Sequence, residues 1–174
     1  MKKTKIIGVF IIFLLAFISH FLYKWVPNIV FSILFPVNES IWEHMKLIVT
    51  PVLIFSIFEY FYYRKKNIKM NNFLLSYGIS SFVGIVVYLL MYIPLDNIFG
   101  YKPYIAISLL FIIYILIQFI SYYIINSKNI KYSNIIGLFI ILFMYIIFGY
   151  FTYFPLYISL FYDIQSKGYG IIKK

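Results

Sequence analysis

The chain has no cysteine, only two histidines, and five acidic side chains against fifteen Lys and Arg in 174 residues. Without thiols there are no disulfides, no thiolate metal sites and no cysteine nucleophile. Charge of either sign is scarce, at 11% of residues, while 64% are hydrophobic and 24% aromatic. A soluble domain of this length cannot hide so much apolar surface. Several runs reach the roughly 18–20 apolar residues needed to cross a bilayer, and they lack the polar–apolar alternation of barrel strands. The sequence therefore predicts an all-α, polytopic transmembrane helical bundle. The net charge of +10 would suggest nucleic acid in a soluble protein. Here the cations lie mostly between oily spans, so they speak for topology and anionic membrane lipids, and nucleic acid is not expected as a partner. Nucleotide-phosphate loops, dinucleotide fingerprints and the Ser nucleophile elbow are also missing.

What is present is about five spans, at about 6–23, 40–63, 73–93, 104–125 and 133–153, in one domain over 1–174. The basic Lys2, Lys3 and Lys5 ahead of the first span resemble a signal peptide. No small-residue cleavage site follows, so the first span is expected to be retained. Residues 29–35 are apolar but too short to cross, which predicts an interfacial or re-entrant segment. Pro51 predicts a kink in span two. Gly78, Ser80, Ser81 and Gly84 suit close helix packing in span three, and Gln118 an interhelical hydrogen bond in span four. Residues 94–103 read as a connector, 154–174 as an outer tail whose residues 155–161 could dip into the membrane, and Gly168 and Gly170 as turn residues. Glu59 is expected to pair with Lys66 or Arg64.

The basic segments are the N-terminus, Arg64–Lys69 and Lys128–Lys131. By the positive-inside rule all three face the cytoplasm, which five spans satisfy. This predicts a multi-pass protein of the cell (inner) membrane, N-terminus cytoplasmic and C-terminus outside. His20, Glu39, Glu43, His44, Asp96 and Asp163 then gather at the outer side.

The densest polar stretch is Phe35-Pro36-Val37-Asn38-Glu39-Ser40-Ile41-Trp42-Glu43-His44-Met45-Lys46. Ionisable groups are costly in hydrocarbon, so their concentration here needs a reason. Much of it is explicable by helix entry. Ser40 and Glu43 have the spacing of a capping box, Asn38 suits the approach, Trp42 is an interfacial anchor, and Lys46 can snorkel or pair with Glu43. On a helix from Ser40, Glu39, Glu43 and Lys46 share one stripe, and His44 is turned by about 100° from Glu43. Capping leaves His44, His20 and Asp163 unaccounted for. The candidate polar site is therefore His20, Glu39, Glu43, His44 and Asp163, with Asn38, Trp42, Lys46 and Asp96 as secondary members. Imidazole and carboxylate ligands suit a divalent metal such as zinc, at His20, His44, Glu43 and Asp163, although the spacing matches no established metal motif.

Three roles stay open. The first is a His/carboxylate site near the outer leaflet that binds an ion, a lipid or another small ligand. The second is a metal-dependent membrane hydrolase acting on a lipid or lipid-linked substrate, with Glu39 or Glu43 as general base. The third is a structural subunit of a membrane complex.

The run Pro36 to Lys46, with its PVNES-x-WEH-x-K pattern, resembles the signature of an uncharacterised family of small multi-pass membrane proteins from Firmicutes-type bacteria. Ser19-His20-Phe21-Leu22-Tyr23, Phe161-Tyr162-Asp163 and Gly168-Tyr169-Gly170-Ile171 fit the same resemblance. It implies a stand-alone membrane domain and supplies no activity.

Overall fold

A computed structural model describes residues 1–100 and 102–171. Six α-helices dominate: α1 Lys2–Trp25, α2 Ile29–Leu34, α3 Ile41–Lys65, α4 Phe73–Phe99, α5 Pro103–Asn126 and α6 Ser133–Tyr153. All but α2 are long and apolar enough to cross a membrane, since about 20 residues at about 1.5 Å rise span the hydrocarbon layer. The expected short segment is α2, a helix of six residues capped by the Asn28 side chain, which accepts from the Phe31 amide at 2.9 Å.

Helix α3 is the axis of the bundle. Of its span window 72% is buried, against 28% for α1 and for α6. It packs against α1, α4, α5 and α6. Ile48, Val49, Val52 and Phe55 fill the centre beside Ile12 of α1 and Ile113 and Ile117 of α5. The remaining large apolar side chains, such as Phe58, Phe119, Phe139 and Ile146, stand exposed on the outside, where lipid tails replace water and exposure carries no hydrophobic penalty.

Glycines set the closest approach. A Cβ on Gly137 of α6 would lie 2.2 Å from the Leu75 backbone nitrogen of α4. Gly78 answers from α4, its hypothetical Cβ 3.0 Å from the Gly137 carbonyl, while Gly84 lies against Ile48 and Ile117.

Two expectations change. Helix α4 continues through Pro94 to Phe99 and α5 starts at Pro103, so most of the expected connector 94–103 is helical. Proline forbids only its own backbone bond and crowds one preceding carbonyl, which a helix end at the membrane surface tolerates. The tail folds back as well. A 3-10 turn at Ser159–Phe161 leads into a hairpin pairing Tyr162 with Tyr169 and Asp163 with Gly168. Phe161 lies 4.8 Å from the Trp42 ring, among Phe148 and Phe151. Lys173 and Lys174 fall outside the described residues.

The two ends of the bundle differ in chemistry. One gathers the N-terminus of α1, Arg64–Lys69 and Lys128–Lys131. Asn72 ties it together, donating to the Lys128 carbonyl at 2.9 Å and accepting from the Ile130 amide at 2.9 Å. The other end gathers the last turn of α1, the start of α3, the close of α4 and α6, and the hairpin. It carries Glu39, Glu43, Asp96 and Asp163 and both histidines.

Candidate functional site

Helix α3 begins at Ile41, because Ser40 is its N-cap: the Ser40 backbone is extended, at φ −70° and ψ 155°, and its hydroxyl accepts from the Glu43 amide at 3.3 Å. Only half of the expected capping box forms. The Ser40 amide donates to Asn38 Oδ1 at 2.9 Å, not to Glu43, an Asx turn that releases the glutamate for another partner.

Released in this way, Glu43 turns inward. Its Oε2 takes Lys46 Nζ at 2.5 Å and the Val37 amide at 3.0 Å, and its Oε1 accepts from the Thr152 hydroxyl of α6 at 2.8 Å. Lys46 is completely buried and also donates to the Ser32 carbonyl of α2 at 2.7 Å. This satisfied pair joins α2, α3 and α6. An ionised pair at such depth is tolerated because the ammonium has three close acceptors and both carboxylate oxygens have donors.

The helical stripe predicted for Glu39, Glu43 and Lys46 does not extend to Glu39. That residue lies in the bend before the helix, and its carboxylate sits on the His44 side. His44 Nε2 lies 3.4 Å from Glu39 Oε2, and His20 Nε2, from the last turns of α1, lies 3.2 Å from Glu39 Oε1. The two imidazoles stack with centroids 5.5 Å apart. One ligand atom from each of His20, Glu39 and His44 falls within 4.8 Å of the others. His44 Nδ1 is 2.9 Å from the Ser40 carbonyl. A carbonyl only accepts, so Nδ1 carries the proton and Nε2 is the atom turned to Glu39. Hydrogen bonds from His20 and then His44, with their positive charge when protonated, hold the Glu39 carboxyl well below the usual carboxylate range, against the upward pull of partial burial.

Asp163 stands apart from this group. It is buried at 2% exposure, and its carboxylate is consumed by the hairpin, accepting from the Gln165 amide at 2.8 Å and from the Ser166 hydroxyl. Asn38 anchors the same hairpin, donating to the Gly170 carbonyl at 2.8 Å. Trp42 sits in the aromatic cluster beneath it. Asp96, in the last turns of α4, lines a cavity that also touches Glu39, and its Oδ1 is buried without a hydrogen bond among the described residues. Of the predicted polar residues, the fold thus gathers His20, Glu39 and His44, diverts Glu43 and Asp163 to structural work, and leaves Asp96 behind Glu39.

A second buried polar group lies at the basic end. Lys5 Nζ reaches Glu59 Oε2 at 2.7 Å and the Tyr77 hydroxyl at 3.0 Å. Tyr63 donates to Glu59 Oε1 at 2.7 Å, and Tyr77 donates to the same carboxylate. The expected pairing of Glu59 with Lys66 or Arg64 does not form. Glu59 is buried at 1% exposure, and only a cation from inside the bundle reaches it.

Glu39 is the meeting point of three spaces. A groove of about 200 Å³ runs from His20, Glu39 and His44 down between α1 and α5, lined by Phe13, Ala16, Phe17, Leu47, Ala106 and Leu110 among others. A polar cleft of about 520 Å³ also reaches Glu39, with Tyr23, Lys24, Asn38, Gln165 and Ser166 on its walls. The Asp96 cavity is the third, at about 140 Å³.

No curated protein and no solved structure is significantly similar to the chain. Its sequence matches a family of unknown function, DUF6512, over residues 1–171, and the chain belongs to that family.

Proposed function

We propose that His20, Glu39 and His44 form a divalent-cation site of zinc type near the outer leaflet of a cell membrane. The reading rests on one observation: two Nε2 atoms converge on a single carboxylate while His44 Nδ1 is fixed by a backbone carbonyl. A neutral imidazole in that tautomer presents a lone pair to carboxylate lone pairs, a repulsion relieved by a proton on Nε2 or by a cation between them, and a divalent ion satisfies both imidazoles and the carboxylate at once. Zinc ligands at about 2.1 Å in a tetrahedron lie about 3.4 Å apart. The observed 3.2 and 3.4 Å separations, each to a different Glu39 oxygen, are near that edge, and the three ligand atoms as a set lie within 4.8 Å of one another. Two imidazoles and one carboxylate would leave a fourth position open.

The orientation follows from the basic end: cationic loops in the cytoplasm, the cluster and the hairpin outside, the whole chain one domain. The run Pro36–Lys46 is taken as the family's mark, since it supplies Glu39, the Ser40 cap, His44 and the Glu43–Lys46 pair together.

The test is elemental analysis of full-length protein purified without chelators. About one equivalent of zinc is expected, lost in the His20→Ala, His44→Ala double variant and retained in Glu59→Gln. Metal-free wild-type protein that does not take up zinc on titration overturns the reading.

A second reading, hydrolysis of a lipid or lipid-linked substrate, is favoured by the junction at Glu39 of an apolar groove with a polar cleft. A water held at the open position would be made acidic by the ion, and Asp96, which shares a cavity with Glu39 and whose Oδ1 has no hydrogen bond among the described residues, is the candidate to take its proton. Release of water-soluble product from lipid extracts, abolished in the double histidine variant, is the expected result. Its absence across glycerolipid and isoprenoid-lipid classes removes this second reading.

A further inference from the structure

We infer that the groove between α1 and α5 holds one hydrocarbon chain of an anionic glycerophospholipid, with its phosphate against the His20–Glu39–His44 cluster and Lys24. This rests on the cation reading for part of its headgroup contact.

The groove is apolar along its length and small side chains make room for it. Ala16 and Ala106, at 5% and 7% exposure, lie inside it on facing helices. Its rim is open: Phe17, Phe21 and Ile107 are 44%, 40% and 39% exposed. On a helix face that meets the bilayer, an open apolar slot borders hydrocarbon and fills with it. The groove ends at the cluster, and His20 and Glu39 line both it and the polar cleft beyond. A molecule that fills both must be apolar at one end and polar at the other.

Charge selects the head. Within the cleft the Glu39 carboxylate is engaged by the imidazoles and that of Asp163 by the hairpin. Lys24 has no ion-pair partner among the described residues. With neutral imidazoles Lys24 faces the two carboxylates for a sum of −1, which a bound divalent ion turns to +1, so with the ion in place an anionic phosphate is preferred over a zwitterionic head. A single slot takes one acyl chain, and the second remains in the bilayer beyond Phe17 and Ile107. A lipid provides this fit without diffusing through water, because the groove opens where lipids already are.

The experiment uses full-length protein in nanodiscs containing phosphatidylglycerol or phosphatidylcholine with a photoactivatable acyl chain, read by mass spectrometry of the labelled peptides. Labelling is expected on the α1 and α5 residues of the groove, with about fivefold preference for phosphatidylglycerol. Ala106→Phe, which fills the slot, should reduce labelling while zinc content stays unchanged. Lys24→Glu, at an exposed position that does not threaten folding, should abolish the headgroup preference. Labelling insensitive to both variants overturns the lipid inference whatever the metal content. Equal labelling by both lipids overturns the choice of an anionic head. Absence of zinc with labelling and its Ala106 dependence intact overturns the cation reading alone and supports the groove assignment.

Discussion

At the residue scale, neighbouring acids four positions apart have opposite roles. Glu39, before the cap, faces two imidazoles and open space; Glu43, inside the first turn, faces a buried amine. Losing one member of a satisfied buried pair leaves the other charged without compensation. Lys46→Met should therefore destabilise the protein by about 3–5 kcal/mol. Adding Glu43→Gln should restore much of that, because the stranded charge is gone. Unfolding in a mild detergent, compared across the two single variants and the double, checks this through the coupling energy. Additive losses would mean that the two side chains act independently. The same residues mark what could be read early. The concentration of ionisable groups near Pro36–Lys46 was visible in the sequence because hydrocarbon punishes them. Their partition was not, since it turns on Asn38 taking the Ser40 amide at 2.9 Å, a local contest that spacing cannot resolve.

At the element scale, long apolar runs announced each span, and their ends were legible to within a few residues except at Pro94. A helix-breaking rule learned in water overstates the effect of proline near a membrane surface. The partners of Glu59 were hidden for a different reason. Lys5 is 54 positions away in the chain, so helical spacing offered only the wrong neighbours. Packing between spans was half legible: the small residues of α4 signalled close contact, but the tightest point belongs to Gly137 of α6. Even a methyl group there meets α4 backbone at 2.2 Å, and backbone cannot rotate aside. Gly137→Val should lower thermal stability by about 1–3 kcal/mol or more, as overpacking does. Gly149→Ala, whose Cβ would meet only Ile33 at 3.4 Å, should be nearly neutral. Comparable losses in the two variants would contradict the close α4–α6 contact.

At the scale of the whole molecule, charge is sorted end to end. Cations at the N-terminus, Arg64–Lys69 and Lys128–Lys131 oppose a face rich in carboxylate and imidazole. Because the chain has no cysteine, single cysteines can be introduced without first removing any. Cysteines at Asn67 and Asn129 are expected to resist a membrane-impermeant thiol reagent in intact cells, while one at Gln165 reacts. Labelling of Asn67 or Asn129 from outside would invert the orientation and move the candidate site to the cytoplasmic leaflet. The groove at α1–α5 and the hairpin over α3 make that site an assembly of both chain termini, which no short motif can convey.

The bond from Thr152 to Glu43 carries a consequence for how the protein is made. Synthesis delivers the carboxylate and amine of α3 to the translocon more than a hundred residues before the hydroxyl that completes their shell, the separation being 109 positions. During that interval the pair lacks its α6 partner, and the nascent segment is expected to gain by staying in a polar, protein-lined setting until α6 is made. A chain truncated before α6 is therefore expected to be cleared faster than the full chain in a pulse-chase, with its buried charge left unsealed; equal lifetimes would show that the pair needs no partner from α6.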